Sequence, residues 1–165
     1  MRKMFLVKLL LVFGVVIHPA VGGESKTVDL TLRVLVDAPP PCSVTGSAVE
    51  FGEVIIKNIN GNNYRMNAEY KLDCKGSQSS DLQMQFKGAT TTINGETVLS
   101  TGISGFGIRI ENAADNSLFP IGENNWTPFN INSQPKLKAV PVKESDVSLT
   151  ASEFNASMTM VVDYQ

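Results

Sequence analysis

Apolar and polar side chains alternate with a period of two along much of the chain. Residues 64–74 (YRMNAEYKLDC) place Tyr64, Met66, Ala68, Tyr70, Leu72 and Cys74 on one face, and Arg65, Asn67, Glu69, Lys71 and Asp73 on the other. Successive strand side chains point to opposite faces, so this pattern predicts a half-buried strand. Residues 154–164 (FNASMTMVVDY) repeat it with Phe154, Ala156, Met158, Met160, Val162 and Tyr164, and only Val161 interrupts the polar face. Shorter strands are predicted at Leu82-Met84-Phe86, at Ile108-Ile110 and over Leu137 to Val142. Turn signals stand between them: Asn60-Gly61, Gly76-Ser77, Asn94-Gly95 and the run from Asn112 to Ser117. Pro120, Pro128, Pro135 and Pro141 punctuate the second half, and Pro141 is expected at an edge or bend because it cannot donate to a ladder. Short strands joined by turn residues, with no helical period after residue 22, predict an all-β sandwich.

Residues 26–37 (KTVDLTLRVLVD) alternate as strictly, with Val28, Leu30, Leu32, Val34 and Val36 on one face and Leu35 alone among apolar residues opposite. Pro39-Pro40-Pro41 separates this segment from Cys42. Three prolines in a row favour a stiff extended spacer without backbone donors. Two arrangements fit. The segment is either the first strand of the sandwich, with the prolines at a bend, or an arm held away from it. A strand with one apolar face left exposed is an aggregation hazard unless something receives it.

Ahead of the arm, Arg2, Lys3 and Lys8 precede the apolar run Leu9 to Ile17, and Ala20-Val21-Gly22 offers small residues at a cleavage position. This is the layout of an export signal over residues 1–22, too short to span a bilayer, where about 20 apolar residues are needed. The expected product is exported and, once cut, not inserted in a membrane. Its removal takes away three of the 14 basic residues and none of the 16 acidic ones, leaving a net charge near −5. Nucleic-acid binding, which needs a basic face, is therefore not expected. The one histidine, His18, lies inside the signal, so the mature chain has none for a catalytic triad or a histidine-ligated metal. Cys42 and Cys74 are expected to pair in an oxidising compartment, and they stand too far apart in sequence for a thiol redox motif.

Four features in order resemble the subunits of bacterial chaperone–usher pili (fimbriae), including the minor subunits of type 1 and P pili. They are the alternating arm LTLRVLVDAPPPC, the cysteine pair with Cys74 ending YKLDC, the stretch SGFGIRIENAADNSLFPIG at 104–122, and the terminal strand MTMVVDYQ. The resemblance covers essentially the whole mature chain. It implies an incomplete immunoglobulin-like sandwich of six strands that lacks its last strand, with an N-terminal donor-strand extension. It also implies a signal peptide at 1–22, an arm with proline spacer at 23–41 and a pilin domain at 42–165. A one-domain chain of this size looks like a minor or adaptor pilin.

The resemblance further implies a role for each end. Val28, Leu30, Leu32, Val34 and Val36 would form the donor strand that enters a neighbouring subunit's groove. Met158, Met160, Val162, Tyr164 and Gln165 would form the groove edge that first meets a periplasmic chaperone, with the terminal carboxylate suited to basic chaperone residues. The implied partners are that chaperone, an outer-membrane usher and neighbouring pilins, with export through the periplasm to the cell surface and a contribution to cell adhesion. Neither a cofactor, a metal nor an enzymatic activity is implied. Two positions depart from the family: Val34 and Ser152 stand where glycines are usual. The first puts the choice of neighbour in question, because a glycine there fits a tight pocket.

Other motifs take their simpler reading. Met158 and Met160 serve either as core or as an adaptable docking surface. Trp126 in ENNWTPF is read as packing rather than a sugar site. Asn125-Trp126-Thr127 and Asn155-Ala156-Ser157 match the glycosylation pattern, with Asn155 expected inside a strand. The acid pairs Glu50 and Glu53, and Glu111 and Asp115, are read as solvated surface. The clusters at 58–63 and 112–116 lack calcium-loop spacing. The competing function is a secreted sandwich that closes on its own N-terminal strand and binds a sugar or a host protein.

Overall fold

A computed structural model describes residues 40–165. The export segment, the donor-strand residues Val28, Leu30, Leu32, Val34 and Val36, and the first proline lie outside those residues. Ten strands follow in order: β1 Ser43–Gly46, β2 Met66–Ala68, β3 Tyr70–Asp73, β4 Asp81–Gly88, β5 Thr90–Ile93, β6 Glu96–Ser100, β7 Phe106–Asn112, β8 Thr127–Asn130, β9 Leu137–Lys143 and β10 Met158–Tyr164. A single 3-10 turn, Ile56–Asn58, is the helical element among the described residues. The fold is an all-β sandwich.

All pairings are antiparallel. One sheet runs β10-β4-β8, the other β2-β9-β7-β6-β5, and β1 pairs with β3 alone. Six runs carry the sandwich: β1, the interrupted β2–β3, β4, β7, β9 and β10. The β5–β6 hairpin and β8 extend the sheets at their borders. Both sheets turn an apolar face inward. Leu82, Met84 and Phe86 of β4 meet Phe106, Ile108 and Ile110 of β7, Leu137 and Ala139 of β9, and Val162 of β10 in one core. Phe86 and Phe119 meet edge-on at 5.5 Å, an arrangement that adds to the burial of their rings.

The alternation predicts β4, β7 and β9 with small shifts at their ends. Asn94-Gly95 makes the β5–β6 hairpin with φ of 49° and 84°, the left-handed pair that a type I′ turn requires. Pro141 lies inside β9, opposite Ile108 of β7. β2 reaches only as far as Ala139 on the other flank, so beyond it that flank is a local edge and the absent donor is not needed.

Two long runs are shorter than the pattern predicts. The single strand expected over 64–74 is broken at Glu69. Its first half pairs with β9 and its second half with β1, so the chain changes sheets at that residue. Tyr64 takes a left-handed φ of 63°, and Met66, expected inward, is exposed. The terminal strand begins at Met158 rather than Phe154, which leaves Asn155 outside the strand in which it was expected.

Candidate functional site

β10 is an outer strand. Its inner edge is hydrogen-bonded to β4, from Met158 opposite Gly88 to Tyr164 opposite Leu82. Its other edge meets no strand ladder among the described residues. β1 is likewise bonded on one side only among the described residues, to β3. Between them runs a groove of about 620 Å³ that opens onto the core. One wall is Val44 with Gly46–Phe51, and the other runs from Phe154 to Met160. The floor comes from both sheets: Phe86 of β4, Leu99 of β6, Ile108 and Ile110 of β7, and Leu137 and Ala139 of β9.

A second cavity of about 560 Å³ shares Val49, Glu50, Phe51 and Phe154 with the first, and adds Ile103, Phe106 and Leu149 to Ser152. Phe154 forms the hinge point. Its ring lies 6.1 Å from that of Phe51 and 4.9 Å from that of Phe106, the latter nearly perpendicular. The two cavities thus read as one apolar seam along the side of the sandwich. Its apolar floor and its two edges, free of a ladder among the described residues, suit an extended polypeptide, whose backbone would bond to a strand edge while alternate side chains enter the floor.

The residues expected at the groove edge fall along β10. Met158, Met160 and Tyr164 are half-buried, Val162 is buried, and Thr159 and Asp163 face outward. Met158 and Met160 pack against the core and line the groove. The terminus is tied to β4: Gln83 Nε2 donates to the Tyr164 carbonyl at 2.8 Å, and Gln165 Nε2 donates to the Leu82 carbonyl at 2.7 Å. Ser152 is exposed and borders the second cavity.

Cys42 and Cys74 are joined by a disulfide, which clamps the start of β1 to the end of β3. The bridge therefore holds the wall strand that the sheets themselves secure on one side only. Tyr70 of β3 donates its hydroxyl proton to the Pro135 carbonyl. Burial pushes that hydroxyl up to about 12.

One acid pair is corrected. Glu111 is fully buried, not solvated. Arg65 Nε donates to its Oε2 at 2.6 Å and Arg65 Nη2 to Oε1 at 3.3 Å, while Arg109 Nη2 also donates to Oε1. Arg109 in turn bonds Glu96 at 3.2 Å and the Gly61 carbonyl at 2.7 Å. Burial alone would raise the Glu111 carboxyl, but the hydrogen bonds and charges of Arg65 and Arg109 outweigh it and hold the group below its usual range. The cluster pins the 60–65 loop to the outer face of β7 and serves the fold. Its partner in the sequence pairing, Asp115, is exposed in a turn. There the Ser117 hydroxyl and amide bond it and lower its pKa.

Glu50 and Glu53 are exposed as expected, and Trp126 is half-buried just before β8. Among the described residues, no group of three acidic, cysteine or histidine side chains could hold a metal. No helix among them is long and apolar enough to cross a membrane.

The profile of the family described as fimbrial protein matches residues 28–165. The chain belongs to that family. This fimbrial subunit is 67% identical over 156 residues to the fimbrial-like protein YfcR of Escherichia coli K12, covering 94% of this chain and 91% of that one. It is 35% identical to the fimbrial-like protein YfcQ of the same strain, over the full length of both. Among solved structures, its fold is similar to the P pilus adaptor subunit PapF, with a TM-score of 0.54 and 21% identity over 76% of this chain and 97% of that one. It is similar also to the P pilus rod subunit PapA, with a TM-score of 0.55 and 20% identity over 76% of this chain and 99% of that one. The immunoglobulin-like pilin fold rests on the likeness to these two structures, and membership of the fimbrial protein family on the family profile and the two relatives. The family is one of surface fimbriae.

Proposed function

We propose that this subunit polymerises by donor-strand exchange, contributing a structural, minor position to a fimbria that mediates adhesion. The observation that carries the reading is the seam between β1 and β10. It is an apolar groove floored by both sheets and bordered by two half-paired strands. A second element of the same chain has the complementary form. Val28, Leu30, Leu32, Val34 and Val36 make an extended arm of period two, set off from the domain at 42–165 by Pro39 to Pro41. The arm enters the groove of a neighbour, and the groove takes a strand from another chain.

Backbone bonds to β10 supply affinity, and alternate side chains in the floor set the register. Four or five aliphatic side chains contribute about 6–15 kcal/mol of gross burial. Ordering the arm costs about 1–2 kcal/mol per residue of backbone, so the net gain is much smaller. Before assembly, a periplasmic chaperone covers the groove along Met158, Met160, Val162 and Tyr164 and holds the Gln165 carboxylate, and an usher receives the pair after removal of residues 1–22. The minor position is favoured by Val34, whose bulk admits the arm to fewer grooves than a glycine would.

Charged replacements in the arm test the reading. Leu30→Lys with Leu32→Lys is expected to abolish incorporation into fibres while the secreted subunit keeps its far-ultraviolet circular dichroism. Normal polymerisation of that variant would overturn the arm's role. A purified monomer closed stably on its own arm would instead favour the self-contained binding module.

A further inference from the structure

The mouth of the seam carries charge of one sign. Glu50, Glu53 and Glu153 border the second cavity, and Glu50 and Glu69 border the main groove. All four are exposed. No lysine or arginine lines either cavity, and the ion pairs among the described residues involve Glu96, Glu111 and Asp73 but none of these four. A groove whose floor is apolar and whose rim is anionic attracts a strand with cations on its outward face and slows one with anions there.

The chain's own arm is not such a strand. Residues 24–37 carry Glu24, Asp29 and Asp37 against Lys26 and Arg33, a net charge of −1. Asp29, Arg33 and Asp37 stand on its polar face, a net charge of −1 that would approach the rim once Leu30 to Val36 had entered the floor. We propose that the groove selects a net-basic strand from a different protein and discriminates against the arm of a second copy of this chain. Head-to-tail growth of the subunit on itself is thereby suppressed, and the neighbour on this side is a distinct subunit. The inference deepens the strand-acceptance reading and rests on it.

Association of two labelled peptides with the full-length mature subunit tests it, followed by stopped-flow fluorescence at low and at high salt. One peptide is residues 24–37 as they stand. The other carries Glu24→Gln, Asp29→Asn and Asp37→Asn, which leaves its apolar face untouched. This second peptide, with a net charge of +2, is expected to associate about fivefold faster at low salt, with the gap closing at high salt as the rim is screened. The gap should also close at low salt in a subunit carrying Glu50→Gln, Glu53→Gln, Glu69→Gln and Glu153→Gln, four exposed changes whose retained fold is checked by circular dichroism. Equal rates for the two peptides at low salt would overturn the charge preference alone. Binding of neither peptide, by either protein, would overturn the strand-acceptance reading and this inference with it.

Discussion

Glu111 shows how one side chain can contradict its sequence context. It follows Ile110 on a strand whose opposite face is apolar, so it reads as an outward, hydrated acid. The loop through Asn60 to Arg65 folds over that outer face and takes it out of water. A buried carboxylate is tolerated only when paired, and here two guanidiniums share it. Arg109 keeps one cost, since its Nε finds no partner among the described residues. Glu111→Gln is expected to lower unfolding free energy by about 2–3 kcal/mol in urea titrations near neutral pH, because it leaves two cations without their shared anion. The wild type should also lose its advantage in acid. A carboxyl held below its unfolded value stabilises the fold above about pH 4 and ceases to do so as pH falls through its folded value. The stability difference between the two proteins should therefore shrink below about pH 4; a difference constant with pH would deny Glu111 its ionised state in the fold.

At the scale of elements, alternation locates strands well and their partners poorly. The runs that form β4, β7 and β9 keep their inward apolar residues in the core, although Gln85, Glu111, Val140 and Val142 on the opposite faces are buried as well. The 64–74 run keeps its alternation, yet Glu69 divides it between two ladders, a change of neighbour that periodicity does not record. Close approaches mark where elements are most tightly matched. A Cβ on Gly107 of β7 would lie 2.5 Å from Val98 Cγ2 and 2.9 Å from the Leu99 carbonyl. One on Gly88 would lie 2.6 Å from the Ser157 carbonyl and 3.4 Å from Met158 Cα, at the start of β10. Both alanine substitutions are expected to cost about 1–3 kcal/mol in denaturant unfolding through overpacking. Only Gly88→Ala should also weaken strand binding, since it displaces the groove wall itself. Equal peptide affinity of the two variants would separate that wall from the binding site.

For the whole molecule, the disulfide and the seam belong together. Among the described residues β1 is bonded to β3 alone, and Cys42–Cys74 closes the loop that returns it there. Replacing both cysteines with serine is expected to remove about 3–4 kcal/mol by the chain-entropy account. The subunit should then be cleaved by protease between Val44 and Phe51, the wall that β1 leads into. Undiminished yield and protease resistance would show that the sheets hold this wall without the bridge. Greater loss from the bridge than from Gly107→Ala would place the weakest part of the fold at the groove rather than in the core.

Period-two patterning by itself determined that this chain is all-β, where its main strands lie, and that residues 26–37 have a single apolar face, while residue type marked Asn94-Gly95 as a turn. These are local properties, because the face a side chain takes depends only on its place along an extended backbone. Tertiary structure alone decided that Glu111 is buried, that one predicted strand serves two sheets, and that six residues from four strands converge to floor the groove. Such outcomes depend on which distant segments pack against one another, and side-chain packing between them overrides what any one segment prefers.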